Sequence, residues 1–176
     1  MALISYVKRE EATGLIAEVY DMIEKRIEVI PNVVQFYTAS PELFEKIMNL
    51  VGYYIDHPTL DRATVAYIRM LISNKEEATY CISLQSGILR SLEIPEEDLV
   101  TAMQDYNLVN LPARNQAMVC FVMDQMYSKL GNAKHRIEQL RQLGWTEKDI
   151  FEASVIGAIQ KGMVNVVKSF EVELDF

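Results

Sequence analysis

Apolar residues recur every three to four positions along almost the whole chain, with polar residues between them. That spacing predicts helices. Leu15, Ile16, Val19, Ile23 and Ile27 form one stripe in the segment from Thr13 to Glu28, and Ile30-Pro31-Asn32 breaks it. Ser40-Pro41 opens a second helix, with serine as cap and proline in the first turn, carrying Phe44, Ile47, Val51, Tyr54 and Ile55. His57-Pro58 closes it, because a residue before proline is pushed out of helical backbone. Asp61 caps a third helix, whose stripe of Val65, Ile68 and Ile72 runs up to Ser73. Ser73 and Asn74 each have a glutamate three residues on, Glu76 and Glu77, and so predict the start of a fourth helix reaching about Leu92.

Four more follow. Pro95-Glu96-Glu97-Asp98 puts negative charge on the first turn of a short one, where the backbone dipole favours it. Asn110 and Pro112 start the next, with Ala117, Phe121 and Met126 facing inward and Gly131 at its end. Asn132 to Leu143 is closed by Gly144. Thr146, with Asp149 three later, opens the last, which carries Ile150, Phe151, Ile156, Ile159, Met163, Val166 and Val167. No stretch alternates apolar and polar residues as a strand does. The expected fold class is all-α, an irregular bundle of seven or eight helices in one domain over 1–176. The Leu108 to Pro112 connection is too short to separate two. Ala153, Gly157, Ala158 and Gly162 would let a neighbouring helix come close on the last one, and the sequence leaves open whether that neighbour is the same chain or a second copy.

Composition narrows the function classes. Half of the 176 residues are apolar, and 7 Gly and 5 Pro do not describe a disordered chain. The net charge of -8 excludes a nucleic-acid surface, which groups Lys and Arg on one face. There is no basic amphipathic segment for an anionic membrane and no 18-residue uncharged window for a transmembrane helix. The start, Met-Ala-Leu-Ile-Ser-Tyr-Val-Lys-Arg-Glu, does not read as a signal peptide, and two cysteines do not make a disulfide scaffold. The expected location is cytoplasmic.

Candidate chemistry reduces to one thiol. A di-iron site in a bundle wants Glu-x-x-His on two helices, but Tyr54 and Asn132 stand three residues before His57 and His135. His57 reads as a loop residue and His135 as helix surface; no metal or cofactor is expected. Cys120, among Met118, Val119, Phe121 and Val122, reads as core. Cys81 shares a helix face with Ala78, Leu84 and Gln85. If Asn74 is the cap, Cys81 lies about two turns into the helix, where the dipole has faded. Glu77, four residues before it, would raise the thiol pKa, and no Lys, Arg or His stands three or four residues away to offset that. By these signs Cys81 is a buried, unreactive cysteine.

The order of residues nevertheless resembles the alkylhydroperoxidase D and carboxymuconolactone decarboxylase family, above all its longer, peroxidase-related members. The resemblance starts at Gly14-Leu-Ile-Ala-Glu-Val-Tyr and Ile30-Pro-Asn and continues through Ser40-Pro41-Glu-Leu. It resumes at Leu111-Pro-Ala-Arg, at Leu140 to Trp145, and at Asp149-Ile150. It implies an all-α fold assembled as a homo-oligomer, a trimer or hexamer. The family's active-site pattern is Glu, eleven residues, then Cys-x-x-Cys-x-x-x-His, with two redox cysteines and a proton relay. Here those positions hold Ala66, Ala78, Cys81 and Gln85, with Tyr80 just before the surviving cysteine. A dithiol cycle needs a second thiol in reach, and a proton relay needs groups that titrate; neither is supplied. Three expectations follow: an antioxidant protein reducing peroxide through Cys81 alone, an inactive relative binding a small molecule in the same pocket, or a protein whose role is its assembly. A decarboxylase would need a general acid or base that these positions lack.

Overall fold

The computed structural model describes residues 2–175. Nine α-helices and two 3-10 turns make up the regular structure of those residues, and they contain no strand, so the fold is all-α. The helices are α1 (Gly14–Ile27), α2 (Asn32–Tyr37), α3 (Pro41–Ile55), α4 (Arg62–Lys75), α5 (Thr79–Ser91), α6 (Glu96–Gln104), α7 (Ala113–Met126), α8 (Ala133–Gln142) and α9 (Glu147–Ser169). They fall into two compact units, one of residues 2–56 with 167–175, the other His57–Val166.

The first unit gathers α1 to α3 with the chain's last residues. Phe44 and Tyr20 are fully buried, and the Tyr20 hydroxyl donates to the Val7 carbonyl at 2.8 Å. The Phe36 and Phe170 rings meet at 5.5 Å, and the Asn32 amide donates to the carbonyls of Glu173 and Leu174.

In the second unit α4 is the central helix. Thr64 to Ile68 and Met70 to Ser73 are all buried, so it is apolar around most of its circumference, as a helix enclosed by others must be. It packs against α5 and α7. Leu89 of α5, Leu99 of α6, Met118 and Val122 of α7, and Ala153 and Val164 of α9 complete the core.

Three helix starts follow capping side chains. Asp61 accepts from the Thr64 N–H at 2.7 Å, and Asn132 from the His135 N–H at 3.1 Å. Thr146 and Asp149 form a reciprocal box, each side chain accepting from the other's backbone N–H.

Helix ends depart from expectation. Ser73 and Asn74 do not begin a helix; they lie in the last turn of α4, and Ser73 donates back to the Arg69 carbonyl at 2.6 Å. The Glu77 N–H bonds the Asn74 carbonyl and the Ala78 N–H the Ser73 carbonyl, while Glu77 takes the left-handed conformation (φ 54°). That pair of bonds is the closure usually built on glycine. The same closure recurs with Glu93, Ser128 and Glu171 in the left-handed residue, and with Gly144. Hence α7 ends at Met126 and not at Gly131, and α2, hidden behind Pro31, is an element the apolar spacing did not reveal.

α9 holds two surprises. Phe151 and Val166, expected on its inner stripe, are 68% and 38% exposed. By length and composition α9 could also cross a membrane. Buried polar bonds tie it to the second unit instead: the Gln160 amide donates to Ser73 at 2.9 Å and accepts from Arg69 at 2.9 Å.

Two substitutions test this packing. A Cβ on Gly157 would lie 2.5 Å from the Val122 side chain, which is itself fully buried. Gly157→Ala is expected to cost about 1–3 kcal/mol by overpacking. Glu93→Gly removes left-handed strain and is expected to gain up to about 1 kcal/mol. Urea unfolding of both variants beside the parent chain measures the two signs.

Candidate functional site

The turn from α4 into α5 spans only Glu76 to Ala78, so α5 begins at Thr79 and Cys81 is its third residue. The thiol therefore stands in the first turn, within reach of the helix dipole, and not two turns in. Ala66 (2% exposed), Ala78 (1%), Cys81 (6%) and Gln85 (1%) are all buried, as is Tyr80. Ala66 belongs to α4, Ala78 is the cap residue just before α5, and Tyr80, Cys81 and Gln85 lie in α5.

Two influences on Cys81 oppose each other. Burial pushes its pKa up to about 11, while the positive charge of Arg69, reaching across from α4, pulls it down. Glu77 is not among the causes. Arg69 is the cation that spacing within α5 could not reveal; its signal is a place three residues after Ala66, on the α4 turn that follows the motif position. Burial wins: with a pKa near 11, about one Cys81 in ten thousand is thiolate at pH 7, against a few per cent for an ordinary cysteine.

Cys120 offers no help. Both cysteines are free thiols, and Cys120 points at the Tyr106 carbonyl at 3.6 Å. Burial first, and the Asp124 carboxylate second, push its pKa up to about 11 as well.

Polar atoms without partners are few. The Gln85 amide oxygen and the Tyr67 hydroxyl are buried and have no hydrogen-bond partner among the described residues. Burial, then the Asp98 carboxylate, raise the Tyr67 phenol to about 12. A cleft of about 510 Å³ opens elsewhere, between α7, α8 and α9, and none of the motif positions lines it.

A second cluster joins His57, Asp149 and Glu152, whose ligand-type atoms lie within 4.8 Å of one another. His57, expected as a simple loop residue, is buried and structural. Its Nδ1 accepts from the Leu60 N–H at 2.9 Å and the Thr59 N–H at 3.2 Å. The proton therefore sits on Nε2 and is donated to Glu152 at 2.9 Å. Glu152 also receives Lys148 at 2.7 Å. Asp149 accepts from the Thr59 hydroxyl and from Thr146; burial alone would raise its pKa, but these bonds hold it below the usual range. With Nδ1 facing two N–H donors and Nε2 protonated, the imidazole has no lone pair for an ion. The cluster fastens the loop after α3 to the start of α9, and its residues do not fit a metal centre.

Three outcomes follow. A thiol whose folded pKa lies above its unfolded value stabilises the fold below about pH 8.5 and loses that contribution as pH rises toward 11. Stability is expected to fall by about 2–3 kcal/mol on that account. Cys81→Ala should show a shallower decline over the same range by urea unfolding. Removing the imidazole leaves buried N–H groups unpaired, so His57→Ala is expected to lose about 2–4 kcal/mol. Added zinc ion should leave the parent chain's melting temperature unchanged in thermal unfolding.

No protein-family model matches the sequence, and no curated protein does. Solved structures match along nearly the whole chain. An uncharacterized peroxidase-related protein from Silicibacter sp. TM1040 is 15% identical with a TM-score of 0.83, covering 98% of this chain and 91% of its own. A second, from Ralstonia eutropha JMP134, described as an alkylhydroperoxidase AhpD core, is 17% identical with a TM-score of 0.85, covering 99% and 92%. A complex of the debrominase Bmp8, in a cysteine-to-alanine variant, with 2,3,4-tribromopyrrole is 18% identical with a TM-score of 0.72, covering 99% and 92%. This chain has the all-α fold of the AhpD-core structure and of the peroxidase-related protein that it matches.

Proposed function

We propose that this chain is an AhpD-like protein without a dithiol peroxide cycle, binding a small flat molecule that carries an N–H or O–H donor beside Cys81 and Gln85. One observation carries the reading: the amide oxygen of Gln85, 1% exposed, has no partner among the described residues. An acceptor stranded in this way costs about 1–3 kcal/mol, which a donor from a ligand would recover. Gln85 stands where the resembling family has its histidine, one turn from the one surviving cysteine position. A structure of the same fold was solved with 2,3,4-tribromopyrrole, a flat molecule with one N–H, which supports the ligand class. Cys81 and Gln85 are both buried, so a ligand reaches them only when the packing around them opens.

A second reading rests on Arg69 and on the place of Cys81 in the first turn of α5. Both favour a thiolate, and a thiolate could reduce a hydroperoxide alone. The sulfur would take one oxygen to become sulfenic acid and the peroxide would leave as an alcohol; one external thiol would then form a mixed disulfide with Cys81, releasing water, and a second would free the Cys81 thiol and leave as the disulfide of the two external thiols. The low thiolate fraction makes this the weaker reading.

Gln85→Met removes the stranded oxygen while keeping the side chain's length. The ligand-free variant should unfold about 1–3 kcal/mol later than the parent. It should also lose any thermal shift that 2,3,4-tribromopyrrole gives the parent chain. A destabilised variant would mean that Gln85 has a partner after all, and the binding reading would fall. Rapid dimedone capture at Cys81 after peroxide, absent in Cys81→Ala, would put the peroxide reading in its place.

A further inference from the structure

A ring of hydrogen bonds joins α9 to the last two turns of α4. The Arg69 Nε–H donates to Gln160 Oε1 at 2.9 Å, and Gln160 Nε2 donates to the Ser73 hydroxyl at 2.9 Å. Ser73 in turn donates to the Arg69 carbonyl at 2.6 Å, which closes the ring. Gln160 is 3% exposed and Ser73 fully buried, and the residues one turn to either side of Gln160, Ile156 and Val164, are buried apolar ones. An amide in such a place costs stability unless it is bonded, and an apolar residue of its size would pack there without that cost. What the amide adds is direction. Arginine has many rotamers, and an acceptor on Nε–H fixes the plane of its fork. A carboxylate would fix it equally well but would cancel the charge; an amide does not.

Ala66, Arg69 and Ser73 share one face of α4, three and four residues apart. The Ser73 carbonyl also accepts from the Ala78 N–H at 2.9 Å, so the ring is tied to the turn from which α5 and Cys81 start. Among the described residues, Arg69 is the one charged side chain whose field acts on the Cys81 sulfur. We propose that Gln160 is a positioning residue that aims Arg69 at the surroundings of Cys81 without neutralising it, so that small anions are favoured there over neutral molecules of the same shape. The inference goes beyond both readings of Cys81 given above and needs neither. It concerns the potential at the sulfur, not what the sulfur binds or attacks.

Iodoacetate and iodoacetamide have the same shape and differ by one negative charge. The ratio of their rates at Cys81 therefore reads the potential and not the ease of entry. In a Cys120→Ser background Cys81 is the single thiol, and mass spectrometry follows its alkylation at mildly alkaline pH. Gln160→Met, which keeps the side chain's length, should lower the iodoacetate-to-iodoacetamide ratio by about threefold. Sodium chloride at about 1 M should lower the ratio of the Gln160 chain in the same direction. With Arg69→Met already in place, Gln160→Met should change the ratio no further, an outcome that a merely structural role for Gln160 does not give. Circular dichroism checks each fold. If Gln160→Met does not fold, Ser73→Ala, which cuts the other bond of the amide, takes its place with the same expected sign. An unchanged ratio in the folded variant, an equal drop when Arg69 is absent, or a ratio that salt does not move overturns the proposal.

Discussion

Packing of α5 against α4 keeps water from Cys81, and this ranks every other influence on the sulfur. A positive side chain on α4 and the start of α5 both favour the thiolate, yet the pKa still stands near 11. The charged form has lost its hydration, and one partly exposed guanidinium at a distance does not replace it. Nothing at Ala66 or Gln85 can take the proton near neutral pH. The same exclusion of water strands the Gln85 oxygen. One physical cause thus quiets the thiol and leaves an acceptor waiting for a donor.

How much of this was legible in the sequence depends on which end of a helix is considered. Starts were legible where Asp61, Asn132 and Thr146 carry oxygen atoms placed to accept the first N–H groups, and not at α2 or α5, whose starts have no such side-chain bond. Ends were not. Glu28, Glu77, Glu93, Ser128 and Glu171 occupy left-handed positions where glycine is the usual sign, so the signal was missing. The costliest case is Glu77. Ser73 and Asn74 have the chemistry of a cap, but the Ser73 hydroxyl turns back to Arg69 and the chain closes α4 there. That shift of about one turn carries Cys81 from the second turn of its helix to the first.

The site was legible only along one helix at a time. Spacing places Cys81 and Gln85 on a common face, and resemblance adds Ala66 and Ala78. Neither could supply Arg69, whose effect on the sulfur crosses from α4 to α5. Neither could join His57 to Glu152, ninety-five residues apart in the chain. Contacts between helices depend on rotation about each axis, and a single sequence does not encode that rotation in any local pattern.

α9 shows the same limit from the other side. Its apolar residues run nearly all round, a composition that suits a helix enclosed by protein. Composition alone would therefore bury Phe151 with Ile150 and Ile156. In the structure Val122, Ile72 and the Ser73–Gln160 bond meet the face of α9 that carries Ala153, Gly157 and Gln160. Gly157 is small because Val122 leaves no room for a Cβ; Gly162, a turn and a half further on, faces open space. A glycine in a helix interior costs roughly 1 kcal/mol against alanine, so the first is explained by its neighbour and the second by nothing within the described chain. An apolar face, a glycine with open space beside it and an adjacent cleft large enough for a ring are therefore features of one surface of α9, set by which side of the helix its own chain packs against.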